Sequence, residues 1–156
     1  MLLASSSSVY GSSILEYLRA ELVLHFAGVT EILFIPYARP SGLSYDAYTA
    51  HMQGAFDFMD VNVKGIHSFS NPKLAIADAQ AIFTGGGNTF VLVDALYKNN
   101  LLDALRAKLK DGTPYLGTSA GTNICGVSMK TTNDMPIVQP KSYDTLGLIP
   151  FNINAH

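Results

Sequence analysis

Tyr115-Leu116-Gly117-Thr118-Ser119-Ala120-Gly121 decides how the whole chain is read. A short apolar strand runs into a serine set between small residues and leaves as the start of a helix. A Gly-x-Ser-x-Gly run is common on its own, but strand before and helix after is the setting a nucleophile elbow requires. Such a turn forces the serine into a strained conformation with its hydroxyl presented, and the flanking glycines let strand and helix approach where a Cβ would clash. The amides that open the helix then face the oxyanion of a reacting carbonyl. The plainer reading of the same residues is an ordinary tight glycine turn.

Outward from this turn, short apolar runs alternate with segments of helical period, the pattern of a parallel sheet with crossover helices. Strands are expected at Leu2 to Ala4, Ile32 to Ile35, Val61 to His67, Ala81 to Thr84, Tyr115-Leu116 and finally Phe151 to Ile153. Between them, Ser13 and Glu16 form a capping box for a helix whose Ile14, Leu15, Leu18, Leu22 and Phe26 share one face, ended by Gly28. A loop with Pro40 and Gly42 leads to a second helix over Tyr45 to Met59. Asn71-Pro72 starts a third, Phe90 to Lys98 and Leu101 to Lys110 give two more, and a short one runs from Ala120 to Cys125. The fold class is α/β: three layers, with a mostly parallel sheet between helices on both faces. With no internal repeat, residues 1–156 read as one α/β catalytic domain.

Composition agrees. Of 156 residues 48% are hydrophobic and only 14% charged, as expected where strands are buried on both faces. A net charge of −2, with ten Lys and Arg spread singly, offers no basic stripe for a phosphate backbone, so nucleic acid is excluded as a partner. A lone Cys125 makes no internal disulfide, no Cys/His spacing suggests zinc, and no apolar run is long enough for a membrane span or signal peptide. A cytoplasmic protein without a metal or organic cofactor is the expectation.

A serine hydroxyl needs a base to take its proton. His25 lies beside core positions, His51 in a helix far upstream and His67 near a strand end, so all three read as structural or solvated. His156 falls just past the last expected strand, at the edge where functional groups gather in parallel sheets. It is the candidate base, expected within about 3 Å of the Ser119 hydroxyl. Asp134, in Thr131-Thr132-Asn133-Asp134-Met135-Pro136, either orients that imidazole or serves ordinary turn chemistry. Gly85-Gly86-Gly87-Asn88 lacks the Lys-Ser/Thr ending of a phosphate-binding P-loop and reads better as a wall of backbone donors beside the serine.

Together, Ile35-Pro36-Tyr37-Ala38, Gly85 to Phe90, Gly117 to Asn123, Thr131 to Val138 (TTNDMPIV) and Pro150 to His156 (PFNINAH) resemble the peptidase E family of serine peptidases, aspartyl dipeptidases grouped with cyanophycinase. The likeness spans nearly the whole chain from Leu2. It implies a fold like that of class I glutamine amidotransferases, with serine in place of cysteine at the elbow. By this resemblance Ser119 is the nucleophile, His156 its base, Gly87 and Ala120 the oxyanion-hole amides, Asn88 a substrate-binding residue and Asp134 a functionally important acid. The implied substrates are dipeptides that begin with aspartate, for which Lys130 and Lys141 are candidate cations.

Family members continue beyond the histidine into further strands, an arginine for the substrate aspartate and a glutamate that rivals Asp134. The 156 residues therefore read as the N-terminal two-thirds of a longer protein, with the C-terminal part of the fold missing. Partial exposure of the sheet would then invite a homo-oligomer or association with the missing segment. Ala155 stands where the family usually has proline. The expectation is a serine peptidase acting on Asp-X dipeptides through an acyl-enzyme. The rivals are an α/β-hydrolase-type esterase, for which the 37 positions from 119 to 156 leave little room, and a truncated, non-catalytic module.

Overall fold

The computed structural model describes residues 1–39 and 42–155, so Pro40, Ser41 and His156 lie outside the described residues. Five strands, β1 (Leu2–Ala4), β2 (Glu31–Ile35), β3 (Asn62–Gly65), β4 (Ala81–Thr84) and β5 (Tyr115–Thr118), form one sheet in the order β1-β5-β4-β2-β3. Every pairing is parallel. Among the described residues six α-helices accompany them: α1 (Arg19–His25), α2 (Tyr45–Ala55), α3 (Pro72–Asp78), α4 (Thr89–Lys98), α5 (Leu102–Lys110) and α6 (Ala120–Asn123).

Strand alternation divides the core in two. Phe34 pairs with Phe83 and Phe83 with Leu116, so these three form a row across the sheet on one face. That face carries Leu22 of α1 and Tyr48, Met52 and Phe56 around α2, with the Phe34 and Phe83 rings 5.0 Å apart. The other face presents Leu33, Ile35, Ile82 and Tyr115 to residues of α3, α4, α5 and α6. Burial on both sides explains the apolar runs Ile32 to Ile35 in β2 and Ala81 to Phe83 in β4.

Local chemistry sets several element ends as expected. Asn71 accepts from Leu74 N to cap α3, with Pro72 in the first turn, and Gly28 takes φ +79° after α1. The capping box forms by half: Ser13 N donates to Glu16 Oε2 at 2.7 Å. A 3₁₀ turn (Glu16–Leu18) precedes α1 because Leu15, at φ 58°, turns into the core with no exposed surface.

Two expected strands are corrected. The third is only Asn62–Gly65, since Ile66–Ser68 turn into a 3₁₀ helix. At Phe151 to Ile153 no strand forms: these residues lie beside 126–131, where Ser128 N donates to Asn152 Oδ1 and Thr131 Oγ1 to Ile153 O. Among the described residues no helix is long and apolar enough to cross a membrane.

Phe83 stands at the centre of the aromatic row and is wholly buried. Phe83→Ala is expected to lower the unfolding free energy by about 3–5 kcal/mol in urea titration, whereas Leu24→Ala, on the exposed side of α1, should change it by less than about 0.5 kcal/mol.

Candidate active site

Because all five strands run the same way, the loops after β1, β4 and β5 meet at one edge. The serine run, the triple glycine and Ser119 come together there, in a cleft of about 390 Å³ lined by Ser6, Ser7, Tyr48, His51, Gly86, Gly87 and Ser119 among others.

Ser119 has φ 50° and ψ −111°, a conformation L-residues rarely adopt and the one an elbow demands. Its own contacts hold it there. Ser119 N donates to Ala4 O of β1, while Ser119 O accepts from Thr122 N and Asn123 N. The Thr122 hydroxyl lies 2.7 Å from Ala4 O and 2.8 Å from Gly117 O, tying the first turn of α6 back to both strands. A Cβ on Gly121 would strike Thr84 O, and one on Gly117 would lie 2.6 Å from Gly121 O, so neither position admits a side chain. Ser119 itself is 9% exposed, enough for its edge to reach the cleft.

The triple glycine lies against the serine: a Cβ on Gly86 would sit 3.0 Å from Ser119 Cβ. Tyr48 donates its hydroxyl to Gly86 O at 3.0 Å, and burial pushes that phenol well above its usual range. Gly87, at φ 135°, has a conformation open to glycine. Among the described residues, neither Gly87 N–H nor Ala120 N–H donates to another backbone carbonyl. Ala120 is the first residue of α6, where helix geometry leaves amides unpaired.

Asp134 and Asn88 both serve the start of α4. Asp134 Oδ2 accepts from Thr89 N at 2.7 Å and from Thr132 Oγ1 at 3.0 Å, a favourable place for negative charge. Asn88 Oδ1 accepts from Val91 N, and Asn88 Nδ2 donates to Met135 O at 2.7 Å. The two side chains thus pin the 132–135 segment to the glycine loop.

Asn123 is a residue sequence reasoning missed. Fully buried in α6, it donates to Thr89 Oγ1 at 3.1 Å and accepts from Ala155 N at 2.8 Å. A polar chain therefore runs from Asp134 through Thr89 and Asn123 to Ala155, the neighbour of His156. His156 lies outside the described residues, so its distance from Ser119 is not among the observed geometry.

The other histidines divide. His25 Nε2 lies 2.9 Å from Tyr115 O, and burial lowers its pKa despite that bond. His67 pairs with Asp46 at 2.9 Å. His51, read from sequence as structural or solvated, lines the Ser119 cleft. Its signal was the spacing 48, 51, 52, which puts it on the same side of α2 as Tyr48 and Met52. Lys130 and Lys141, the candidate cations for substrate, line a different depression with Tyr143 and Asp144. Cys125 is buried, and burial pushes its thiol up to about 12, so it stays a protonated, unreactive side chain. Among the described residues no cluster of three or more His, Cys, Asp or Glu could hold a metal ion.

Comparison with known proteins bears on this arrangement. The model of peptidase family S51 matches residues 1–156. The chain is 46% identical to a Drosophila melanogaster protein named "Probable alpha-aspartyl dipeptidase", over all of this chain and 65% of the relative. It is 42% identical to the peptidase E of Streptomyces coelicolor, over all of this chain and 63% of that one. The chain thus spans just under two-thirds of the length of these relatives. At the level of fold it is similar to a solved structure from Listeria monocytogenes EGD-e, with a TM-score of 0.75 at 22% identity over 96% of this chain and 75% of that one. It is likewise similar to a peptidase from an acI-B1 Actinobacterium, with a TM-score of 0.67 at 18% identity over 95% of this chain and 64% of that one.

Asn123→Ala removes the acceptor for Ala155 N and the donor to Thr89 Oγ1. Exchange of the Ala155 amide should quicken by about 10- to 100-fold in hydrogen-exchange measurements, matching a loss of about 1–3 kcal/mol. Unchanged exchange would show that other contacts hold the segment.

Proposed function

Because this chain belongs to peptidase family S51, we propose that it supplies the nucleophile of a serine-type dipeptidase that hydrolyses Asp-X dipeptides through an acyl-enzyme. The observation that carries the proposal is Ser119 itself, held at φ 50° between β5 and α6 against the glycine loop, with helix amides beside it. Strain of this kind persists where surrounding contacts over-determine it, and it clusters at sites of chemistry.

Ser119 Oγ attacks the carbonyl carbon of the scissile bond as His156 accepts the hydroxyl proton. The carbonyl oxygen, now negative, takes hydrogen bonds from Gly87 N–H and Ala120 N–H, main-chain donors that need less reorganisation than water would. When the tetrahedral adduct collapses, the C–N bond breaks and His156 hands its proton to the departing amine of X. Water then attacks the aspartyl ester with His156 again as base, releasing aspartate and restoring the serine. Every group named is a side chain or a main-chain amide.

Asp134 acts in this scheme through the chain Thr89, Asn123 and Ala155, fixing where the segment that carries His156 leaves the sheet edge. Asn88 serves substrate binding by holding Gly87 through its bonds to Val91 N and Met135 O. The single buried Cys125 suits a cytoplasmic setting.

Ser119→Ala should reduce release of aspartate from Asp-Leu by at least about 10³-fold with the unfolding midpoint little changed. A fluorophosphonate should label Ser119 of the unaltered chain. Equal turnover by the variant would end the serine assignment, and an unreactive Ser119 would favour a non-catalytic module. Faster cleavage of a short acyl ester than of Asp-Leu would favour the esterase reading.

A further inference from the structure

We infer that His51 is a specificity-determining residue that binds a carboxylate of the substrate, an inference that rests on the Asp-X reading above. A dipeptide that begins with aspartate brings two carboxylates, one on its first side chain and one at its C-terminus. A cleft that selects it needs a cationic donor within reach of the nucleophile. Among the described residues lining the Ser119 cleft, Tyr48 and His51 carry the ionisable side chains, and of these two only His51 can become positively charged. The Tyr48 phenol is already spent: its proton goes to Gly86 O, and burial holds it above its usual range.

Several other cations among the described residues have partners or open onto other depressions. Arg39, near the cleft residue Leu43, gives its guanidinium to Leu43 O and Gly42 O and stacks on Tyr45. Lys130 and Lys141 open onto a separate depression. Lys64 and Lys98 are paired with Glu31 and Asp94.

The helix places His51 well for this role. Tyr48 and Met52 are buried and anchor that side of α2 against the sheet, while His51 stays solvent-accessible at the cleft wall. The loop of Ser6 and Ser7 borders the same cleft with hydroxyls and main-chain amides, groups able to complete a carboxylate's hydrogen bonds. Among the described lining residues no acidic side chain competes for the imidazolium. An imidazolium attracts a carboxylate more strongly than a neutral imidazole does, so the contact should strengthen on protonation.

The test is binding of Asp-Leu to the Ser119→Ala variant, which holds the dipeptide without turning it over, measured by calorimetry at pH 6 and pH 8. Adding His51→Gln should weaken binding about 10-fold at pH 6 and reduce the difference between the two pH values, while His51→Lys should restore tight binding at both. In the otherwise unaltered enzyme, His51→Gln should raise KM by a similar factor with kcat nearly constant, since the contact is made equally in ground and transition states. Asp-Leu amide then identifies the carboxylate. A His51 effect that survives amidation assigns it to the aspartate side chain, and one that vanishes assigns it to the C-terminus.

Equal affinity of the S119A protein with and without H51Q at pH 6 would overturn the inference. If the unaltered chain neither releases aspartate nor reacts with a fluorophosphonate, yet binding still depends on His51, the catalytic reading falls and the carboxylate site stands. If Asp-Leu binds neither protein, both fall.

Discussion

The architecture of the site depends on one close approach: the first turn of α6 lies so near β4 and β5 that Gly121 has no room for a Cβ beside Thr84 O, nor Gly117 beside Gly121 O. With the helix this close, the chain can leave β5 only through a sharp reversal, and Ser119 takes φ 50° at the bend. The same closeness lets the Thr122 hydroxyl reach Ala4 O and Gly117 O, so that two strands and a helix are laced within one turn of the nucleophile. The strain at Ser119, of the order of 1–3 kcal/mol, is offset by these buried bonds, each made in surroundings where an unpaired group would be costly.

From that centre, polar side chains rather than secondary structure organise the rest of the edge. Asn88 and Asp134 fasten the 132–135 segment to α4, and Asn123 fastens Ala155 to α6. Such linked polar groups, Asn123 buried and Asn88 and Asp134 half-buried, specify position more sharply than apolar contact, because each misplacement leaves a donor or acceptor unpaired. The segment after residue 126 therefore needs little regular structure. Its place is set by individual hydrogen bonds, including Thr131 Oγ1 to Ile153 O.

What could be read from sequence follows from this division. The parallel class and the central strands β2 and β4 were legible because burial on both faces leaves continuous apolar runs, as in Ile32 to Ile35 and Ala81 to Phe83. The elbow was legible because its steric needs appear directly as Gly117 and Gly121. The fate of Phe151 to Ile153 was not, since a short apolar run becomes a strand only if an edge is offered to it, and a polar one such as Asn152 binds Ser128 N instead. Asn123 stood within a recognised motif, but its bracket between Thr89 and Ala155 joins segments more than 30 positions away. His51 was passed over because helical phase gives a side of α2 and not the end of the sheet toward which that side opens.

The conformation of Ser119 has an evolutionary corollary. Selection for durability alone would favour glycine at this position, since glycine takes a positive φ at little cost and the residue's main-chain bonds to Ala4, Thr122 and Asn123 need no side chain. A serine kept here is thus a standing concession of stability to reactivity. Lineages that abandon the chemistry while keeping the fold should drift toward glycine at this site sooner than toward any bulkier residue.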